Sequence, residues 1–182
     1  MSFDYVCLQP EDVFNAIEIV DPMQFTDLYL KLLTILLAGS NPENVVQFRN
    51  AFTKTEAVFD TEFLNQHGKN YARKIQLISR LLAKFLIIAR KPMYGIQMIA
   101  RAIRVIRQSS EQVSSLNTQY ALLCLKSKCL QHALPLIEHP ITSVLSGTNA
   151  IEICTYNYYR GMIYMGLERY IDAIECFRKV LS

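Results

Sequence analysis

Several residue types that mark turn-rich folds are scarce in this sequence. Tryptophan is absent, and only six glycines and six prolines occur among 182 residues, of which 51% are hydrophobic. This composition disfavours a β-sandwich and favours packed helices. Long apolar runs are also missing, since 32–38 and 81–89 each contain a polar residue and fall short of the roughly 18 residues that span a bilayer. We therefore expect an ordered helical protein without a membrane segment.

The sequence also lacks the usual signals of an exported protein. It contains no Asn-x-Ser/Thr acceptor site, and its N-terminus has neither a basic start nor a long apolar segment. Its five cysteines are an odd number, which does not suit a framework of disulfide bonds. These features favour an intracellular, reducing compartment.

Acidic residues are missing from the middle of the chain. Residues 63–110 contain no Asp or Glu but hold ten of the 19 basic residues. A long helix is predicted over 69–90, and five cations fall on the stripe opposite its apolar positions. These cations form a possible partner-docking ridge: Lys69, Arg73, Arg80, Lys84 and Lys91.

Three interpretations of this ridge remain open: a solvated face, a docking surface for an acidic protein, and a nucleic-acid site. Nucleic acid is the weakest, because interleaved aromatic residues and flexible basic arms are lacking. Since the predicted helix contains no carboxylate, acids from elsewhere must offset the repulsion between its cations. Another protein could supply them, or the acidic N-terminal segment could fold back with Asp4, Glu11, Asp12, Glu18 and Asp21.

Apolar residues recur at helical spacing along most of the chain, and no segment shows the alternation of a strand. Helices are predicted near 10–20, 25–38, 41–52, 69–90, 92–106, 116–129, 130–138, 150–165 and 168–181, with a weak pattern at 59–64 and a loop at 146–149. This pattern predicts an all-α fold, an α-solenoid of helix-turn-helix (tetratricopeptide-like) repeats. We expect a single helical-repeat domain over 1–182, with divergent N-terminal helices (1–68), helical pairs (69–148) and a tetratricopeptide-like pair (149–182).

The last 30 residues carry the spacing of a tetratricopeptide repeat. Its signature residues are Gly161, Tyr164, Gly166, Ala173 and Phe177. We expect the two small residues at 161 and 173 to let paired helices approach closely, Gly166 to lie at the turn, and Phe177 to pack into the next layer. Asn157 and Arg160 depart from the consensus, which has Trp and Leu there. No other repeat is as clear in the sequence.

Residues that could carry chemistry are present but poorly arranged. Cys124 and Cys129 are five residues apart, which places them about 140° apart on a helix. With His132 and His139 they show no paired Cys-x2-Cys or His-x3-His spacing, so we expect core cysteines and surface histidines and no metal or cofactor. Neither a Cys–His catalytic arrangement nor a glycine-rich phosphate loop is visible. We expect no enzymatic activity.

Tyrosines cluster near the C-terminus. They are Tyr156, Tyr158, Tyr159 and Tyr164. Their interpretation is open between packing of one helix on another and a peptide-binding patch. Because Tyr158 and Tyr159 are adjacent, they cannot face the same way, and one of them is expected to be exposed.

Three segments of the chain have a distinctive sequence. The first is 90–96, which Ala102-Ile103 follows; the second is 122–136, with Leu123-Cys124-Leu125 and Ala133-Leu134-Pro135; and the third is 158–167, which reads Tyr-Tyr-Arg-Gly-Met-Ile-Tyr-Met-Gly-Leu. All three resemble segments of the subunit-three family of the COP-nine signalosome. The resemblance covers roughly 90–182, whereas 1–89 fit only in helical character and length.

The resemblance implies a scaffold subunit of the complex that removes the ubiquitin-like modifier Nedd from cullins, with the zinc metalloprotease on a different subunit. It implies other signalosome subunits as partners, a cytoplasmic and nuclear location, and no membrane, nucleic-acid or small-molecule ligand. Family members continue into further repeats and a winged-helix (PCI) module, so this chain is expected to be an N-terminal part. Two alternatives remain: a related scaffold of the proteasome lid or of a translation-initiation complex, and a nucleic-acid-binding solenoid that uses the basic stripe at 69–107.

Overall fold

The computed structural model describes residues 9–109, 111–145 and 148–181. Within those ranges the chain forms ten helices and two strands of two residues each. The elements are α1 (Pro10–Ile19), α2 (Thr26–Gly39), α3 (Val45–Val58), α4 (Thr61–His67), α5 (Ala72–Ile88), α6 (Met93–Ile106), β1 (Gln112–Val113), α7 (Ser115–Lys126), α8 (Leu130–Ile137), β2 (Ser143–Val144), α9 (Ala150–Gly166) and α10 (Tyr170–Leu181). None of the helices in these ranges is both long and apolar enough to cross a membrane.

Short polar side chains determine where two N-terminal helices begin. The side chain of Asn44 accepts hydrogen bonds from the N–H groups of Val46 and Gln47, at 3.0 and 3.3 Å, and so caps α3. The prediction that this helix begins at Asn41-Pro42 was wrong, because the cap is Asn44 and α3 begins at Val45. Asp60 caps α4 in the same way, accepting from the N–H of Glu62 at 3.0 Å. A helix therefore forms where the periodic pattern was weak.

Three helix pairs share one turn. They are α5–α6, α7–α8 and α9–α10, and each first helix is followed by a left-handed residue: Arg90 (φ 57°), Lys128 (φ 59°) and Glu168 (φ 62°). The next N–H donates to the carbonyl five residues back: Lys91 to Leu86 (2.8 Å), Cys129 to Cys124 (3.0 Å) and Arg169 to Tyr164 (2.9 Å). This is the Schellman turn that ends many helices. The left-handed residues are 38 and 40 residues apart, so the three pairs are successive repeats.

Small buried residues recur with the same spacing. In the first helix of each pair they are Ala83, Ala121 and Gly161, and in the second, twelve residues later, they are Gly95, Ala133 and Ala173. At Gly95 and Gly161 there is no space even for the Cβ atom of an alanine. A Cβ on Gly95 would lie 2.6 Å from Leu86 Cδ1, and one on Gly161 would lie 2.6 Å from Phe177 Cε1. The small residues therefore allow the two helices of each pair to touch.

The first helices of the pairs pack side by side behind α2. Helix α5 contacts α2 and α7, and α7 in turn contacts α9. Nine of the twelve residues of α7 are buried, polar ones included. The core of the protein follows this row of helices from Leu30 to Ile163.

A small parallel sheet contradicts the expectation of no strand. Strand β1, between α6 and α7, pairs with β2, between α8 and α9. The two loops join equivalent ends of successive pairs, so they run side by side and exchange backbone hydrogen bonds. Leu145 donates to the carbonyl of Val113 at 2.8 Å. Of the loop predicted at 146–149, Ser146 and Gly147 lie outside the described residues.

The N-terminal helices join the repeats through a row of aromatic rings. Phe48 of α3 stacks on Phe85 of α5, with ring centroids 5.5 Å apart. Phe52 stacks on Phe48 at 5.7 Å and meets Tyr94 of α6 at 5.8 Å. The ammonium group of Lys91 lies 4.1 Å from the centroid of Phe48. These contacts attach α3 to the first repeat.

Candidate protein-interaction site

The five signature residues of the last repeat lie in and around the α9–α10 pair. Gly161 lies directly against the ring of Phe177, and Ala173 is buried. Gly166, the last residue of α9, leaves room for Leu130 of α8, whose Cδ1 would lie 2.5 Å from a Cβ there. Phe177 does not reach into a further layer: it packs inside its own pair, 6.1 Å from the ring of Tyr158.

Two departures from the repeat consensus have structural roles. Arg160 is buried, and its Nη2 donates to the carbonyl of His139 at 3.2 Å, which connects α9 to the chain after α8. The Nδ2 of Asn157 donates to the carbonyl of Ile153 at 3.0 Å. Tyr164 adds a third connection, since its hydroxyl donates to the carbonyl of Ile137 at 3.2 Å. The contact between the second repeat (α7–α8) and the third repeat (α9–α10) therefore includes hydrogen bonds from Arg160 and Tyr164.

The other tyrosines divide between packing and exposure. Tyr156 is buried, and burial raises the pKa of its hydroxyl to about 12. Tyr159 is partly buried, and Tyr158 is the exposed one of the adjacent pair. The cluster is therefore mainly a packing feature with one exposed ring.

The candidate residues Cys124, Cys129, His132 and His139 lie in different environments. Cys124 is fully buried, and burial raises the pKa of its thiol to about 12, so it stays protonated and is a poor nucleophile. Cys129 is partly buried, whereas His132 and His139 are exposed. Over the ranges that the structure describes, no three His, Cys, Asp or Glu side chains are grouped closely enough to hold a metal ion.

The predicted basic ridge is shorter than expected. Arg73, Arg80 and Lys84 share the exposed side of α5. Lys69 and Lys91 are exposed too, but they lie beyond the two ends of α5, so its helical phase does not apply to them. The prediction of one helix from 69 to 90 was wrong because Arg90 turns the chain into α6.

Acids from two other helices neutralise part of this charge. The ammonium of Lys74 pairs with Asp27 at the start of α2, and the guanidinium of Arg80 pairs with Glu152 at the start of α9. Hydrogen bonds from Lys31 and Lys74 hold the pKa of Asp27 below its ordinary value. Asp27 and Glu152 do not belong to the acidic N-terminal segment expected from the sequence, of which Asp4 lies outside the described residues, and acids supplied by another protein stay a prediction. Partial neutralisation also weakens the nucleic-acid interpretation.

A second exposed surface, which the sequence did not predict, lies on the last helix pair. The C-terminal face, as we name it, consists of five large apolar side chains on α9 and α10: Tyr158, Met165, Tyr170, Ile174 and Leu181. The residues 40 positions earlier are all at least partly buried: Thr118, Leu125, Leu130, Leu134 and Ile141. The repeat spacing was the signal that could have identified this face. In the third helix pair these positions are exposed because, among the described residues, no further helix follows α10 to cover them.

Comparison with known proteins agrees with this architecture. A family described as "COP9 signalosome complex subunit 3, N-terminal helical repeats" matches residues 4–182. A Dictyostelium discoideum protein named COP9 signalosome complex subunit 3 is 28% identical over 114 residues, which cover 60% of this chain and 27% of that protein. The Arabidopsis thaliana protein of the same name is 21% identical over 183 residues, which cover 98% of this chain and 40% of that protein.

The chain therefore spans less than half the length of these two relatives. The family match covers nearly every residue, and the three successive helix pairs are what a helical-repeat family requires. This chain belongs to the family of N-terminal helical repeats of COP9 signalosome complex subunit 3.

Proposed function

We propose that the chain is a non-catalytic scaffold part of the COP9 signalosome, present in the cytoplasm and the nucleus, that supports removal of Nedd from cullins through protein contacts. Family membership supports the assignment to this complex. The observation that carries the scaffold role is the C-terminal face, where large apolar side chains occupy positions that the next helix pair covers in the preceding repeat. Exposed apolar patches of this kind mark interaction surfaces.

We expect a helix pair of a neighbouring signalosome subunit to cover the C-terminal face. The equivalent positions of the α7–α8 pair are at least partly buried, and that pair packs against α9, the first helix of the next pair. A solenoid grows in this way, because each repeat buries its apolar side on its neighbour.

Affinity purification of the tagged chain from cells, followed by quantitative mass spectrometry, tests the assignment. We expect signalosome subunits to be recovered together and in constant proportion. The double variant Tyr170→Ser/Ile174→Ser should reduce that recovery, whereas Ile19→Ser, a matched exposed position at the opposite end of the chain, should not. Recovery of proteasome-lid or translation-initiation subunits instead would contradict the proposal.

The non-catalytic part needs a separate measurement. The purified chain, incubated alone with a Nedd-modified cullin, should leave the modification intact, because burial raises the pKa of the Cys124 thiol to about 12 and so keeps it protonated, and no three His, Cys, Asp or Glu side chains among the described residues are grouped to hold a catalytic metal ion. The complete complex serves as the positive control. Removal of Nedd from the cullin by the chain alone would contradict this part of the proposal.

A further inference from the structure

The exposed side of α5 carries cations and aliphatic side chains in one line. We call it the α5 face and define it by Arg73, Leu77, Arg80, Lys84 and Ile88. These positions are three or four residues apart, so they follow one side of the helix for about 22 Å. The two aliphatic residues are far from buried, since Leu77 is 44% and Ile88 46% exposed. On an ordinary solvated face these positions would be polar.

The carboxylates nearest to this face are already engaged. Glu152 pairs with Arg80 and also caps α9, where it bonds with Asn149 in both directions. Asp27 is shared between Lys31 and Lys74. Lys84 has no carboxylate partner within the ranges that the structure describes, and α5 contains no acidic residue. The face is thus a basic line that still has room for acidic partners.

The order of apolar and basic residues along the α5 face indicates the kind of partner that would fit it. Leu77 and Ile88 are eleven residues, or about three turns, apart, with Arg80 and Lys84 between them. A second helix lying along α5 would cover both aliphatic side chains if its own apolar residues had similar spacing. Acidic residues between those positions would meet the cations. Nucleic acid fits less well, because the uncharged members of the face are aliphatic and offer no stacking surface.

We propose that the α5 face binds an acidic amphipathic helix of a partner protein, with apolar residues against Leu77 and Ile88 and carboxylates between them against Arg80 and Lys84. This inference rests on the proposed scaffold function and deepens it by stating the chemistry of one partner. Recognition of an amphipathic helix through apolar anchors spaced along one of its faces is a common binding mode.

Site-specific photo-crosslinking tests the inference in cells. The tagged chain carries a photoreactive amino acid in place of Ile88, and crosslinked peptides are identified by mass spectrometry. The expected product joins position 88 to a helical segment with apolar residues about three turns apart and Asp or Glu between them. A product with a basic or uncharged segment, a nuclease-sensitive product, or no product above that of a probe at Ile19 would overturn the inference.

Variants on the same face measure the contribution of each feature. Lys84→Glu and Leu77→Ser should each lower the crosslinking yield at position 88 roughly tenfold, as expected when a charge pair or an apolar anchor is lost. The matched controls Arg49→Glu and Ile19→Ser, which are exposed on other helices, should leave the yield within about twofold. Unchanged melting temperatures show that each variant is folded. If Lys84→Glu and Leu77→Ser leave the yield unchanged, the α5 face is not the contact surface.

The two proposals fail in different ways. An acidic amphipathic segment from a protein outside the signalosome would support the α5 face and contradict the proposed function. Recovery of signalosome subunits with the chain, but without a crosslink at position 88, would support the proposed function and contradict the inference.

Discussion

In the three helix pairs between Ala72 and Leu181, one turn and two small residues recur, whereas the described helices between Pro10 and His67 share neither. Stability in a repeat array is approximately the sum of the repeats and their interfaces with nearest neighbours. Each helix pair can thus tolerate change in a distant pair. The N-terminal helices instead rely on contacts that are not repeated: the packing of α2 on α5, the Phe48–Phe85 stack and the Lys74–Asp27 ion pair.

The two regions also differ in the surfaces that they could offer to a partner. The repeats present regular surfaces, the α5 face and the C-terminal face, whose positions follow from helix phase and repeat spacing. The N-terminal helices α2 and α3 pack against the first repeat. Variants that separate the two regions therefore provide the most informative tests.

The largest effect is expected from Phe48→Ala, which removes the ring between Phe52 and Phe85. Truncating a buried phenylalanine typically costs about 3–5 kcal/mol. Hydrogen exchange should accelerate in α1–α4 while α7–α10 remain protected. Phe25→Ala is the control, because Phe25 is 57% exposed and its loss should change stability by less than about 0.5 kcal/mol. Uniform loss of protection along the chain would show that the two regions are not separable.

The reverse experiment is to overpack the last repeat. In Gly161→Leu a side chain is forced into the ring of Phe177, and in Ala173→Phe bulk is placed where α9 and α10 meet. Each should cost about 1–3 kcal/mol or more, measured by thermal unfolding, and should expose α9 and α10 to hydrogen exchange.

Gly39→Ala is the matched control for this pair in the N-terminal region. A Cβ there would lie 3.8 Å from Pro10 Cγ, an ordinary contact. No loss of stability is expected. An unchanged melting temperature of Gly161→Leu would contradict the close approach of α9 and α10 at this position.

A smaller effect is expected from the Arg80–Glu152 ion pair, which joins the first repeat to the third. A double-mutant cycle with Arg80→Ala and Glu152→Ala isolates the coupling. The Arg80 side chain is 53% exposed, so we expect about 0.5–1 kcal/mol, falling as salt is added. Zero coupling at low salt would show that the two side chains do not pair in solution.

The smallest effect concerns the shared turn. Lys128 has a positive φ, which glycine adopts without strain, so Lys128→Gly should stabilise the protein by a few tenths of a kcal/mol. Lys126→Gly, two residues earlier in the last turn of α7, should destabilise it by up to about 1 kcal/mol. Equal effects of the two variants would contradict the turn geometry.

Local features of this chain were predictable from sequence, whereas tertiary ones were not. Apolar periodicity indicated most helices, and the spacing from Gly161 to Phe177 indicated the last pair. The helix after Asp60 was missed because it has only seven residues, too few to show periodicity. Strands β1 and β2 were missed because two residues cannot show alternation and their pairing depends on the stacking of repeats.

The same limit applies to the surfaces. The partners of Lys74 and Arg80 are 47 and 72 residues away in sequence, so no local pattern could identify them. The small residues at 83, 121 and 161 were visible, but alanine is common and only the structure shows that these three are equivalent. Arg90, Lys128 and Glu168 gave no signal, because none of them is the glycine that usually marks such a turn.

Residue-resolved hydrogen exchange of three backbone amides tests most directly that residues 72–181 are three copies of one unit. The N–H groups of Lys91, Cys129 and Arg169 each donate to a carbonyl five residues back, at 2.8–3.0 Å. The account predicts that all three exchange slowly, although they lie in turns between helices. Exchange of any one of them at the rate of an unstructured chain would contradict the shared turn and, with it, the three-repeat architecture.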